Sequence, residues 1–331
     1  MLGLNAGAHS NAFKLPAKDA ARAEDRMPHA VEVGIKAQRL LQTPEFAGRV
    51  LAVVSNAAYL HGDGDGLLWI AQRGVPAHSR GILLSATLHS IVRNMPFSVS
   101  GKRLDIGGVI EVNLASATIW SAPRVLPSDI ASLDELGRRS ANLPASFGED
   151  GKELIAAIKL LINNGSDDDP MYKLFAQVAL PVVEQVAKNC LDGDFQGAMQ
   201  VGEELLGMGP GLTPAGDDFL GGILFAAKVL RDAYPDIYPC GIGPVAVLRS
   251  KAKVQTNLIS ATLLGDLSEG DGPAPLHELL CCLLREGPSR QLGQEVRRLS
   301  DIGHSTGRCL LAGVLTGLLP AVAEAQINKT N

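Results

Sequence analysis

The hydrophobic pattern changes near Pro127, and this change constrains the fold more than any other feature of the sequence. Before it, short apolar runs alternate with polar segments: the runs are VLAVVSNAAYL, GLLWIAQ and GILLSATL, and the segments between them are HGDGDG and RGVPAHSR. The Gly-Asp tract at 62–66 joins two such runs, which is typical of a β-hairpin. We therefore expect an antiparallel, β-rich region over about 48–122.

After Pro127 the apolar residues recur with the period of an α-helix. The segment KELIAAIKLLINN at 152–164 shows this period and ends at Gly165. Upstream of it, Ser128 is placed to cap the first helix. The whole pattern predicts an α+β fold, with an antiparallel β-rich N-terminal part followed by a mainly α-helical C-terminal part.

The same pattern divides the 331 residues into three parts. Residues 1–30 are polar, Ala-rich and of mixed charge, and we expect a flexible N-terminal arm there. Residues 31–125 are expected to form a β-rich domain, and residues 126–331 an α-helical domain that carries the Gly-rich motifs. The stretch 30–42 is compatible with a strand or with a helix, because its periodicity does not separate the two.

Composition narrows the classes of function. The chain has 36 glycines but only 8 Phe, 4 Tyr and 2 Trp, so its core is expected to consist mainly of Leu, Ile, Val and Ala. Few aromatics also weaken any proposal of base stacking. The formal charge is -5 and no long basic run occurs, which disfavours a nucleic-acid partner.

Cysteine usage and hydropathy indicate the compartment. The five cysteines include no C-x-x-C pair, so reduced thiols in a cytoplasm fit better than disulfides or a zinc site. The N-terminal residues contain no apolar core long enough for a signal peptide. The apolar run from Cys309 to Ala323 is too short to span a bilayer and predicts a buried helix. We expect a cytoplasmic protein without a membrane partner.

A glycine-rich segment, GMGPGLTPAGDDFLGG at 207–222, lies between two helical patterns. Gly207, Gly209 and Gly211 allow a loop whose amides point inward, while Thr213 is expected to cap the next helix with Pro214 at its first position. Loop amides and a helix N-terminus together favour phosphate or carboxylate binding. The segment matches neither a P-loop nor a Rossmann turn, since no Lys or Arg follows the glycines and the third Rossmann glycine is absent.

Two aspartates follow these glycines and leave the chemistry open. Asp217 and Asp218 would repel a bare phosphate unless a cation intervenes. They could instead orient a substrate amide or carbamoyl NH2, act as a base, or hold Mg²⁺ through waters. The alternative is a capped helix whose glycines only permit tight turns.

A second helix start resembles the first. Gly303, His304, Ser305, Thr306 and Gly307 precede a long apolar helix that Ser305 is expected to cap. His304 would then lie just before the helix, where it suits substrate hydrogen bonding or proton transfer. The alternative is an ordinary loop histidine, which is the commoner case for a lone histidine. Further along this helix, the Gly-x-x-x-Gly pattern at 313–317 indicates close helix packing.

Two weaker candidates remain. Thr256 and Ser260 lie four residues apart on one helix face, where they could line a pocket or bond back to the backbone. His61, Asp63 and Asp65 suggest a metal loop, although a solvated hairpin turn is favoured there. Motifs of serine hydrolases and zincins are absent from the sequence.

Three strings occur in a characteristic order: GMGPGLTPAGDDFLGG, then TNLISATLL, then IGHSTGRCLLAGVLTGL. With them the chain resembles the bacterial family that contains the AllH-type subunit of oxamate carbamoyltransferase, most strongly over about 195–320. The resemblance implies a role in allantoin or purine nitrogen catabolism with FdrA-like and AllG-like subunits. It implies a reaction that moves a carbamoyl group between oxamate and phosphate and gives carbamoyl phosphate. Arg308 follows Gly307 where the pattern has an acidic residue.

Carbamoyl transfer needs oxyanion donors and anion-binding groups but little covalent help. The expected catalytic residues are therefore Asp217, Asp218 and His304. The residues expected to bind substrate or anion are Gly207, Gly209, Gly211, Leu212, Thr213, Gly216, Thr256, Ser260, Ser305, Thr306 and Gly307. Arg308 or a partner chain would supply a cation, and Mg²⁺ is the one cofactor considered. Two alternatives stay open: a non-catalytic scaffold subunit, and a stand-alone small-anion binding protein or metal-assisted hydrolase.

Overall fold

The structure is a computed structural model that describes residues 28–64, 66–147, 154–164, 169–238, 242–286 and 291–330. The predicted N-terminal arm lies outside the described residues, apart from its last three positions. Asp65 of the candidate metal loop and the predicted helix end at Gly165 also lie outside them. Over the described residues, a largely antiparallel sheet precedes a helical part, which confirms the predicted α+β class.

Nine strands form one sheet within the described part of the chain. They are β1 (Ala30–Gly34), β2 (Ala47–Val53), β3 (Ala57–Gly62), β4 (Leu67–Gln72), β5 (Gly81–Leu84), β6 (Pro96–Ser100), β7 (Arg103–Ile106), β8 (Ile110–Asn113) and β9 (Thr118–Trp120). Their order across the sheet is β8-β7-β6-β2-β3-β4-β5-β1-β9. The pairs β4–β5 and β1–β9 are parallel and the others antiparallel.

The ambiguous stretch 30–42 contains both kinds of element. Strand β1 ends at Gly34 and helix α1 (Ile35–Leu41) begins directly after it. A Cβ atom at Gly34 would lie 2.1 Å from the carbonyl oxygen of His78, so only glycine fits this junction. The β-rich region therefore begins earlier than the expected position 48.

The Gly-Asp tract at 62–64 follows β3 and leads into β4, its antiparallel partner, as the hairpin prediction required. One apolar run holds more structure than expected, since VLAVVSNAAYL contains the end of β2 and most of β3 with a turn between them. Strand β4 is buried on both faces. This explains its continuous apolar sequence, because a strand covered on both sides needs no polar alternation.

The helices after the sheet share one apolar core. They are α2 (Leu133–Ala141), α3 (Leu154–Asn163), α4 (Pro170–Leu191), α5 (Phe195–Gly202), α6 (Ala215–Ala233), α7 (Ile242–Gln255), α8 (Leu258–Ser268), α9 (Ala274–Leu284), α10 (Leu292–Ser300), α11 (Thr306–Gly317) and α12 (Leu319–Thr330). Ser128, the predicted first cap, lies instead in a short 3-10 turn. Ser132 caps α2 by accepting the amide of Glu135.

Helices α6 and α11 are buried and cross each other closely. A Cβ atom at Gly313 would lie 2.0 Å from the carbonyl oxygen of Phe219, and one at Gly222 would lie 2.3 Å from that of Leu310. At Gly317 it would lie 2.7 Å from Cβ of Ala226. Larger residues would push the two backbones apart, so the structure confirms that 313–317 serves helix packing.

The predicted buried helix at the C-terminal end is confirmed as part of the core. The helical stretch Thr306–Asn328 is long and apolar enough to cross a membrane, but 72% of its most apolar window is buried inside the protein. A core helix passes the same test of length and composition. The structure is therefore compatible with a soluble protein.

Ion pairs join the sheet to the helical part. The carboxylate of Asp266 on α8 lies 2.6 Å from Nζ of Lys36 on α1 and 2.5 Å from Nε of Arg80. Lys36 also lies 2.8 Å from Asp271, which accepts a hydrogen bond from the hydroxyl of Ser79 at 2.5 Å. Asp266 is buried, so this cluster fixes how the two layers lie against each other.

Candidate functional site

A cavity of about 1070 Å³ lies between the sheet and the helical part. The sheet side contributes residues of β3, β4 and the 74–78 loop. The helical side contributes the glycine-rich loop, the start of α6 and the loop before α11. The glycine-rich loop and the loop before α11 therefore line the same cavity, although the sequence did not show that they are close in space.

The two glycine-flanked helix starts meet at this cavity. The hydroxyl oxygens of Thr213 and Thr306 lie 3.0 Å apart, at the N-terminal ends of α6 and α11. Each helix end carries partial positive charge from its aligned peptides and presents unpaired amides. The neighbouring ends create a region of the cavity that suits a negatively charged or carbonyl oxygen.

Asp218 is the acidic side chain that this region buries. It is 6% exposed, lines the cavity, and its Oδ2 has no hydrogen-bond partner among the described residues. Burial raises the pKa of Asp218 well above its ordinary value and the charge of Asp217 adds to the rise, although the hydroxyls of Thr306 and Thr213 act against it. A buried carboxyl with an unsatisfied oxygen is costly for folding, which makes it a candidate for function.

Asp217 has a different environment. Its Oδ1 accepts the amide of Gly207 at 2.7 Å, and its Oδ2 accepts the hydroxyls of Thr256 at 2.5 Å and Ser260 at 2.6 Å. None of these four residues lines the cavity. Asp217 thus ties the glycine-rich loop to Ser260 on α8 and to Thr256 just before that helix. The expectation that Thr256 and Ser260 share one helix face is therefore wrong, because Thr256 lies in the junction between α7 and α8.

The glycine-rich loop has the unusual backbone that its sequence indicates. Gly207, Gly209 and Gly211 have positive φ angles of 73°, 108° and 103°. Gly211 and its two successors, Leu212 and Thr213, line the cavity, and the amides of these three make no hydrogen bond to any described residue. They are available to a ligand, whereas the amide of Gly207 is already used.

The predicted cap of α6 is wrong by one residue. Pro214 occupies the N-cap position and Ala215 begins the helix, because the Thr213 hydroxyl faces Thr306 and not an amide of its own helix. Gly216 is in the first turn and packs against the backbone of Leu205, where a Cβ would approach its carbonyl oxygen to 2.1 Å. Gly209 and Gly216 do not line the cavity.

His304 and Ser305 lie on the cavity wall with Thr306. His304 is exposed and lies before α11 as expected. Ser305 occupies the N-cap position of α11, but its side chain makes no capping hydrogen bond. Gly307 does not line the cavity: a Cβ there would lie 1.9 Å from the carbonyl oxygen of Leu299, so its role is close packing.

The sheet supplies cavity residues that the motifs did not indicate. Both tryptophans of the chain, Trp69 and Trp120, line the cavity together with Tyr59 and Tyr172. Tyr59 and Trp69 are direct cross-strand partners with ring centroids 5.5 Å apart. Alternation along β3 and β4 could have placed this pair on one face, but not the face on which the helices pack.

His78 also lines the cavity and packs against Trp69, with the two rings tilted by 51° and their centroids 4.7 Å apart. Burial lowers its pKa to about 4, although the carboxylates of Asp271 and Asp266 act in the opposite direction. The imidazole is therefore neutral at pH 7 and can accept or donate a hydrogen bond without adding charge.

The residues present do not fit an Mg²⁺ site. Among the described residues, no group of three or more His, Cys, Asp or Glu side chains is placed to hold a metal ion. The oxygens of Asp217 are occupied by protein donors, and burial favours the neutral form of Asp218. Mg²⁺ prefers ionised carboxylates whose oxygens are free, and neither Asp217 nor Asp218 offers both.

The Asp218 environment predicts a pH-dependent effect on stability. Its pKa is about 3.9 in the unfolded chain and raised in the folded chain, so the folded state binds the proton more tightly and loses stability as pH rises above about 4. Asp218→Asn cannot ionise and should gain stability over the original protein between pH 4 and pH 7. Denaturant unfolding at both values measures this, and a difference that does not change with pH would contradict it.

One comparison identifies a relative of the segment that contains this site. The family model described as oxamate carbamoyltransferase subunit AllH matches residues 205–318, about a third of the chain. No curated protein and no solved structure matches the chain significantly. The matched segment begins at the glycine-rich loop and ends after α11, so it contains both helix starts that meet at the cavity. The resemblance seen in the sequence motifs is therefore confirmed for residues 205–318, the segment that matches the AllH family model.

Proposed function

We propose that the chain is a subunit of an oxamate carbamoyltransferase complex and that its cavity binds the carbamoyl group during transfer. The family match supports the first part. The observation that carries the second is the unpartnered, buried Oδ2 of Asp218 between two helix N-termini. A carbamoyl group offers the matching partners, since its oxygen accepts hydrogen bonds and its NH2 donates them.

The reaction balances without a cofactor. An oxygen of phosphate attacks the carbamoyl carbon, and the bond from that carbon to the oxamate nitrogen breaks. The products are carbamoyl phosphate and oxamate, whose nitrogen gains the proton that phosphate loses. Most of the catalysis required is orientation of the two anions and stabilisation of the oxyanion that forms at the carbamoyl carbon.

The loop amides supply the oxyanion contacts in this proposal. The unused amides of Gly211, Leu212 and Thr213 and the N-terminal ends of α6 and α11 offer positive partial charge to one region of the cavity. Fixed backbone donors of this kind stabilise an oxyanion without reorganising during the reaction. The hydroxyls of Thr213 and Thr306 extend the same set.

Asp218 and His304 are the proton-transfer residues in this proposal. In its neutral form, which burial favours, Asp218 donates a proton to the departing oxamate nitrogen, and the proton lost by phosphate restores it. Exposed His304 on the cavity wall is placed to carry protons between this site and solvent. Asp217 acts by positioning: it holds the loop that supplies the amides.

The partner subunits belong to the same proposal. FdrA-like and AllG-like chains would complete the complex, in a cytoplasmic pathway of allantoin or purine nitrogen catabolism. Met171, Leu174 and Val178 are exposed on α4, with 63%, 56% and 52% of their surface accessible. They recur at helical spacing, and Asp169 at the start of this helix lines the cavity. An apolar stripe beside the site suits a subunit contact.

Co-expression with the two partner subunits tests the proposal. The purified complex should release phosphate from carbamoyl phosphate only when oxamate is present, and this chain should co-purify with both partners. Leu174→Asp should weaken co-purification, whereas Val247→Asp, at an exposed apolar position of α7, serves as the control. A complex that assembles but transfers no carbamoyl group would contradict the enzymatic proposal and favour a scaffold role.

A further inference from the structure

A cavity for oxamate and phosphate needs a cation, and the cavity wall contains one. Among the described residues that line it, Arg298 is the only lysine or arginine. Arg308, the expected cation, donates instead to the carbonyl oxygen of Asn164 and does not line the cavity. None of the three sequence motifs contains Arg298. It lies on α10, before the third motif, and reaches the cavity only because the helices pack together.

Part of the Arg298 guanidinium is available to a ligand. Its Nη1 contacts Oε2 of Glu278 on α9 and lies 2.8 Å from Oε2 of Glu295 on α10. Its Nε and Nη2 make no hydrogen bond to any described residue, and the side chain is 45% exposed. An arginine edge with two parallel N–H groups matches two oxygens of a carboxylate or phosphate.

Two carboxylates compete for this arginine. Glu278 lines the cavity, and its Oε2 contacts Arg298 as an ion pair without hydrogen-bond geometry. Glu295 is buried, and burial raises its pKa, as does Glu278, while Arg298 lowers it. Both carboxylates therefore contact the same nitrogen, Nη1, and leave the Nε and Nη2 edge of Arg298 open to an anion, with the Glu278 carboxylate close beside it.

We propose that the open edge of Arg298 binds a substrate oxyanion, the carboxylate of oxamate or a phosphate group, and that the neighbouring Glu278 carboxylate competes with this anion for the guanidinium. The inference rests on the proposed function for the identity of the anion. It makes Arg298 a binding residue that sets substrate affinity, and it makes Glu278 an internal competitor whose removal should strengthen anion binding.

Steady-state kinetics of the assembled complex test this. Arg298→Gln should raise KM about 10-fold or more for the substrate whose oxyanion it binds, with little change in kcat, because a charge-assisted hydrogen bond to the ground state is lost. Separate titrations of oxamate and carbamoyl phosphate show which anion it is. Glu278→Gln should lower the same KM. Arg297→Gln, an exposed neighbour on α10 that does not line the cavity, is the matched control.

The result separates the two proposals. An active complex in which Arg298→Gln changes neither KM would overturn this inference and leave the carbamoyl transfer standing. If the original complex transfers no carbamoyl group, calorimetry of the isolated chain with oxamate and with phosphate decides the matter for Arg298. Binding that Arg298→Gln abolishes supports the site, and no binding of either anion overturns it. Arg298→Lys keeps the positive charge and is the control for folding. Binding that Arg298→Lys retains and Arg298→Gln loses would show that the loss comes from the charge and not from misfolding.

Discussion

Asp218→Asn is expected to lower turnover of the assembled complex by about 10²–10⁴-fold, the usual range for loss of a general acid. The amide has nearly the same shape as the carboxyl group, so the cavity and the partner contacts stay intact. It cannot donate an acidic proton to the departing oxamate nitrogen. Phosphate release from carbamoyl phosphate in the presence of oxamate measures the reverse reaction, in which the same carboxyl group takes the proton from the attacking oxamate nitrogen, so the loss appears in either direction. Size-exclusion chromatography checks assembly.

Two further aspartates serve as references for this variant. Asp232→Asn lies on the same helix, α6, but is exposed beside Lys228 and should leave turnover unchanged. Asp217→Asn should reduce the yield of folded protein, because three donors then lose a charged acceptor. Full turnover by Asp218→Asn in an assembled complex would show that the buried carboxyl takes no part in the chemistry.

Asp266→Ala is expected to lower the free energy of unfolding by about 3–5 kcal/mol, the cost of leaving a buried charge without its partner. Arg80 and Lys36 both lose their shared carboxylate at the junction of the sheet and the helical part. Activity should fall as well, because the sheet side of the cavity is then held less firmly. Urea unfolding followed by circular dichroism measures the loss.

An exposed ion pair gives the matched control. Glu111→Ala removes the partner of Arg103 on the sheet, where the two side chains are 37% and 62% exposed, and should cost less than about 1 kcal/mol. Equal effects of the two variants would mean that the Asp266 cluster contributes no more than a surface pair.

The division into domains at residues 125 and 126 stays a prediction, although this cluster and the shared cavity favour one cooperative unit.

Local pattern was enough for the fold class and for the conformation of the glycine-rich loop. Short apolar runs before Pro127 and 3.6-residue periodicity after it predicted the α+β order that the structure shows. The string from Gly207 to Asp218 predicted a loop that only glycine can form, since positive φ angles are needed at three positions. These features depend on neighbours in sequence, which is why the sequence alone was sufficient.

The sequence could not separate the roles of the two adjacent aspartates. Asp217 and Asp218 share a helix turn, but successive helical residues point about 100° apart. One therefore faces α8 and the loop, where three donors satisfy it, and the other faces the cavity with an oxygen unsatisfied. Which direction holds solvent and which holds protein depends on the packing of distant elements.

By itself, then, the sequence determined the order of sheet and helices, the glycine-rich loop and the match of 205–318 to the AllH family model. The tertiary structure alone decided that the loops before α6 and α11 share one cavity. It also decided that Tyr59 of β3 and Trp69 of β4 line that cavity. It also placed Arg298, and not the expected Arg308, on the cavity wall. The physical reason is that helix and loop preferences are local, whereas a cavity exists only where surfaces far apart in the chain pack together.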